Sequence, residues 1–114
     1  MPAVHAFEGA SRQIYTFHLS TRQNFAANPM SRYGGIFLFA RQENSAPVII
    51  FAGSTLSLGK GALALEPWDT AVREHLANRF DFRVNTDAAS SRREMNDLIA
   101  KHRPILNTEQ RNAR

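Results

Sequence analysis

The chain has 114 residues, 43% of them hydrophobic and 21% charged, with 14 Lys+Arg against 10 Asp+Glu for a formal charge of +4. That length and balance suit one folded domain able to bury a core without staples, and they exclude wholesale disorder. With no cysteine, disulfide frameworks, thiolate zinc sites, iron–sulfur clusters and thiol nucleophiles are excluded as well.

Residues 1–12 show no periodicity and are expected to form a loose lead-in. Gln13 to Ser20 (QIYTFHLS) puts Tyr15, Phe17 and Leu19 on one side of a strand. Thr21 to Arg32, with Asn24, Asn28, Pro29 and Ser31, reads as a loop with room for one helical turn. Ile36 to Ala40 and Val48 to Ala52 are near-continuous apolar runs, as in strands covered on both faces. The polar stretch between them predicts an antiparallel hairpin. Ala62 to Leu65 reads as a short helix or an irregular segment.

Pro67 opens a helix running to about Asn78, with Trp68, Val72, His75 and Leu76 as its inner stripe. Arg79 to Val84 alternates as a strand, with Phe80, Phe82 and Val84 on one face. Asp87 is a good N-cap for a last helix that stops before Pro104. Ala88, Ser91, Met95, Leu98, Ile99 and His102 make its inner face. Glu94 falls about 100° to the side of Met95, on the margin of that stripe. It reads either as a carboxylate looking into a cleft or as a surface glutamate near Arg92 or Arg93. The tail at 108–114 is polar and expected to fray.

The cations are 12 arginines and two lysines, Lys60 and Lys101. Arginine's planar fork matches phosphate and carboxylate geometry, so the bias points mildly to a phosphate-rich partner, although a lineage preference for arginine explains it equally simply. Net charge is +3 over residues 1–42, −2 over 43–81 and +3 over 82–114. No window approaches the ~20 apolar residues of a membrane span and no leader is visible. The expectation is a soluble cytoplasmic protein with no membrane partner.

Gly53-Ser54-Thr55-Leu56-Ser57-Leu58-Gly59-Lys60-Gly61 imitates a phosphate loop. It has five residues between its glycines and no hydroxyl after the lysine, so it is not an NTP site. None of the four histidines pairs with another ligand at helical spacing, and no Gly-x-Ser-x-Gly element supports a serine hydrolase.

One pattern runs through most of the chain: Gly35-Ile36-Phe37, then Phe51-Ala52-Gly53-Ser54-Thr55, then Arg92-x-Glu94-x-x-x-Leu98-Ile99, and finally Arg103-Pro104-Ile105-Leu106-Asn107. Over residues 13–107 this order resembles the GIY-YIG endonuclease superfamily, in particular small bacterial members with an extra N-terminal strand. The resemblance implies a single α/β (α+β) domain over 1–114: an antiparallel sheet of three core strands, plus the N-terminal one, flanked by helices. It also implies a nuclease site with one divalent metal, Mg2+ or Mn2+, held by a late glutamate. Two hairpin tyrosines, a helix arginine and a supporting asparagine would complete that site.

By that resemblance Glu94 stands at the metal-binding glutamate and Asn107 at the asparagine. Phe37 and Phe51 replace both tyrosines, and Gly61 occupies the arginine's place with Lys60 beside it. Losing one preorganised charge-stabilising donor typically costs ~10²–10³ in rate. The expectation is therefore a catalytically impaired domain that binds DNA or RNA, or a complex that processes it. The alternatives are an active metal-dependent endonuclease using Glu94 with Lys60, and Tyr33 or His75, or a module that docks a protein partner in the former cleft.

Overall fold

The computed structural model describes residues 4–21, 25, 27–44, 46–62 and 65–107. In chain order they form β1 (Val4–Glu8), β2 (Ile14–Ser20), a 3-10 turn (Pro29–Arg32), β3 (Gly35–Gln42), β4 (Pro47–Thr55), α1 (Leu58–Ala62), α2 (Leu65–His75), β5 (Arg79–Val84) and α3 (Ala88–His102). The strands make one antiparallel sheet in the order β1-β2-β5-β3-β4, giving the α+β class. It has five strands rather than four, because Val4–Glu8 pairs with β2 from Val4↔His18 to Glu8↔Ile14 instead of forming a loose lead-in. The strand is short and buries only Phe7 fully, so its sequence pattern is faint.

The continuous apolar runs of β3 and β4 follow from burial on both faces. Ile36 and Leu38 join Tyr15, Phe17, Ile49 and Ala52 in a layer covered by Leu98 of α3. Phe37 and Phe39 point the other way, into an aromatic layer with Phe51, Phe80 and Phe82 that is closed by Leu58 and Ala71 of the two short helices. A register shift opposite Phe39/Ala40 lets Ile50 and Phe51, consecutive residues of β4, enter that same layer.

The inner face of α2 differs from the predicted stripe. Trp68 meets Phe39 edge-on with centroids 5.0 Å apart, and Ala71 is buried, but Val72 is exposed. The helix ends at His75, three residues before the expected Asn78, and Leu76 turns outward at φ 59° and 68% exposure. Ala77 then folds back, donating to Ala71 O at 2.9 Å, so Leu76 is spent on reversing the chain. The 3-10 turn at Pro29–Arg32, capped by Asn28, supplies a helical turn in that loop. Asp87 caps α3 as predicted, accepting from Ser90 N at 3.1 Å. Ala62 ends α1 and Leu65 begins α2; positions 63 and 64 between them, and the expected frayed tail at 108–114, lie outside the described residues.

Strand β5 carries phenylalanines toward one layer and charge toward the other. Asp81 is 0% exposed, and Arg79 grips both its oxygens at 2.9 and 2.6 Å. Removing one member leaves an uncompensated charge in the interior. Arg79→Ala and Asp81→Ala are each expected to lower unfolding free energy by about 3–5 kcal/mol, measured by urea denaturation.

Candidate functional site

Glu94 extends from the flank of α3 toward β5, on the layer that α3 covers. Its carboxylate is 16% exposed and accepts two bonds from Arg83, Nε to Oε1 at 3.0 Å and Nη2 to Oε2 at 3.3 Å. Arg83 also donates to Thr16 O at 3.3 Å, and its guanidinium carbon lies 5.5 Å from the centre of the Tyr15 ring. The partner of Glu94 is thus neither Arg92 nor Arg93 but a strand residue brought in by the sheet.

One turn later, Asp97 gathers the turn between β1 and β2. It accepts from Ser11 N at 2.8 Å, Ser11 Oγ at 2.5 Å and Tyr15 OH at 2.8 Å. Hydrogen bonding from Ser11, and next from Tyr15, stabilises the carboxylate against its partial desolvation and holds Asp97 below its ordinary pKa. Burial, reinforced by the bond to Asp97, raises the Tyr15 phenol. A Cβ at Gly9 would collide with the Asp97 carboxylate and push it from this position, so glycine permits the close approach. An open, polar groove of about 590 Å³ runs along these groups, lined by Ser11, Gln13, Tyr15, Arg93, Glu94 and Asp97 among others.

The other predicted site residues lie elsewhere. Phe37 and Phe51 are 5% and 8% exposed and belong to the aromatic layer, so they do not line an open apolar cleft. The Phe37 ring covers both Gly53 and Gly61: a Cβ on either would come within 2.5 and 2.6 Å of it. A side chain at 61 and a phenylalanine in this position exclude one another. Lys60 projects exposed from α1, whose Leu58 packs into the aromatic layer across the sheet from Glu94. Asn107 holds the edge of β4, accepting from Ala52 N and donating to Ala52 O, both at 2.8 Å, as a neighbouring strand would. The Glu94 groove includes neither Lys60 nor Asn107.

The donor set does not suit a divalent cation, which takes several oxygen ligands. Both Glu94 oxygens already face a guanidinium, and among the described residues no three His, Asp or Glu side chains converge. Three histidines serve locally: His102 Nε2 donates to Glu8 O at 2.8 Å, while His5 and His18 lie against Phe7 and Phe82. His75, at the end of α2, is outside the Glu94 groove, its buried Nε2 without a hydrogen-bond partner among the described residues.

A different grouping emerges from the ion pairs. Arg41, Arg73, Arg79, Arg83 and Lys101 are matched with acidic side chains. Arg12, Arg32, Lys60, Arg92, Arg93 and Arg103 are exposed and have no ion pair among the described residues. Three of these, Arg32, Lys60 and Arg92, stem from elements that converge at one end of the sheet. There α1 rests on the 3-10 turn through Leu58 N to Tyr33 O at 2.9 Å and Ser57 Oγ to Ser31 O at 3.4 Å. Arg92 shares a small groove with Leu56, next in sequence to Ser57. Tyr33 is exposed at the same end, with the Arg32 guanidinium 6.0 Å from its ring centre.

Residue pattern alone missed Arg83, Asp97, Ser11 and Tyr15 as a connected group. Two signals for it exist in the sequence: Glu94 and Asp97 are three apart on one helix flank, and Arg83 alternates with Asp81 opposite the phenylalanines. From the sequence Tyr33 stands out only as a substitute catalytic group.

The Asp97–Tyr15 pair ties stability to pH at both extremes. Asp97, with a lowered folded value, contributes stability above its ordinary 3.8 that is lost as pH falls through the folded value. Tyr15, with a raised one, contributes stability below its ordinary 10.0 that is lost as pH rises through the folded value. Asp97→Asn is expected to flatten the acid limb of a melting-temperature profile and to lessen the alkaline one. No protein-family model matches this chain, and comparisons with curated proteins and with solved structures find no match.

Proposed function

We propose that this chain is a nucleic-acid-binding domain, resembling GIY-YIG endonucleases, that binds DNA or RNA without cutting it. The observation that carries the reading is the group of exposed, unmatched cations Arg32, Lys60 and Arg92 at one sheet end, beside the exposed ring of Tyr33. Phosphate neutralisation by Arg and Lys supplies most sequence-independent affinity, and an exposed ring offers a base a stacking face. With no ion pair among the described residues, these cations are open to an external anion.

The absence of cutting rests on three local facts. Glu94 is committed to Arg83, Phe37 and Phe51 carry no hydroxyl, and Phe37 fills the space above Gly61. With Mg2+ or Mn2+ present, DNA and RNA substrates are expected to remain intact over the parent protein. Cleavage that disappears in Glu94→Ala would overturn this part of the reading.

Binding is tested by fluorescence anisotropy on labelled single- and double-stranded oligonucleotides across a salt series. The parent should bind at low salt and lose affinity linearly in log[salt]. The Arg32→Glu, Lys60→Glu, Arg92→Glu triple variant should bind much more weakly, with a slope smaller by about two to three. Arg73→Glu, on the exposed side of α2 and already paired with Asp69, should change little. Equal binding by the triple variant and the parent would sink the proposal.

A further inference from the structure

The sheet end holds a second feature, a groove of about 130 Å³ between the end of β4 and the first turns of α3. Ser54, Thr55, Leu56, Ala88, Ser91 and Arg92 line it. Thr55 is spent on its own turn, since Oγ1 donates to Ser57 O at 3.0 Å and accepts from Ser57 N at 3.1 Å. Ser91 is 2% exposed, and its Oγ has no hydrogen-bond partner. A buried hydroxyl left in that state is costly unless something else completes it. Half-buried Ser54 has no side-chain hydrogen bond among the described residues, and exposed Arg92 has no ion pair there.

Two hydroxyls and a guanidinium thus border one small groove at the start of a 15-residue helix. Leading N–H groups of a helix lack intrahelical acceptors and favour negative charge. The capping carboxylate of Asp87 is turned to Ser90 N and is not part of the groove lining. Every uncommitted polar side chain here can donate, and the groove lining contains no carboxylate.

We infer that this groove seats a single phosphate group, with Ser91 Oγ and Ser54 Oγ donating to its oxygens and Arg92 balancing its charge. The inference rests on the nucleic-acid reading for its natural source, a backbone phosphate of the bound strand. Ser91 sets the position because it is buried and held by the helix; Arg92 supplies attraction from the rim.

The test uses the full chain and two probes. Inorganic phosphate, titrated at constant ionic strength against chloride, should shift the backbone amide resonances of Ser54, Ser91 and Arg92 saturably. A single-stranded oligonucleotide is followed by anisotropy. Ser91→Ala should weaken both by about tenfold, the scale of one hydrogen bond to a charged group. It should leave the melting temperature unchanged or higher, because it removes an unsatisfied hydroxyl from a helix. Ser54→Ala should weaken phosphate binding with the fold equally intact.

Phosphate shifts centred elsewhere, or unchanged phosphate binding in Ser91→Ala and Arg92→Ala, would overturn the inference. Oligonucleotide binding that is lost in the Arg32, Lys60, Arg92 charge reversal but unaffected by Ser91→Ala overturns the groove and leaves the nucleic-acid reading standing. Phosphate binding in the groove with no oligonucleotide binding at low salt supports the seat for free phosphate and overturns the nucleic-acid reading.

Discussion

Strand β3 has no face left for solvent, and the rest of the molecule is arranged around that constraint. From Gly35 to Ala40 every residue is buried, with β4 on one side and β5 on the other. Its even residues call for one cover and its odd residues for another, so α3 must close one layer and the short helices the other. The crossings that link these covers bring β4, α1 and the start of α3 together at one end of the sheet. Arg32, Lys60 and Arg92 are carried to that end because the connections gather there.

The same packing explains why the pattern resembling a nuclease has not assembled its chemistry. Phe37 lies on an odd position of β3, inside the aromatic layer, and its ring uses the space above Gly53 and Gly61. Glu94 sits on the other layer, where Arg83 from β5 reaches it because β5 alternates phenylalanine and charge. Asn107 is held at the edge of β4, satisfying backbone groups that would otherwise stand open to another chain. Each residue has a local physical task that competes with a catalytic one.

Much of the fold was legible because burial on two faces leaves a strong mark. The hairpin, the alternation of Phe80, Phe82 and Val84, and the Asp87 cap all come from local pattern. Strand β1 was not legible, since five residues with one fully buried ring give almost no period. The end of α2 was misread for a related reason: Leu76 has the chemistry of a core residue and is spent on a left-handed turn. The groups now facing one another across layers, Arg83 with Glu94 and Tyr15 with Asp97, are separated by 11 and 82 positions.

By itself the sequence determined the β3–β4 hairpin and the apolar faces of β2, β5 and α3, because hydrophobic periodicity is a property of neighbours along the chain. It also determined the chemical stock: no thiols, 12 arginines, and no hydroxyl at Phe37 or Phe51. Only the tertiary structure decided which charges cancel. Ion pairing depends on distance through space, so Arg83 is consumed by Glu94 while Arg32, Lys60 and Arg92 remain exposed and unmatched among the described residues. The arginine bias becomes an argument about binding only once the fold has separated matched cations from unmatched ones.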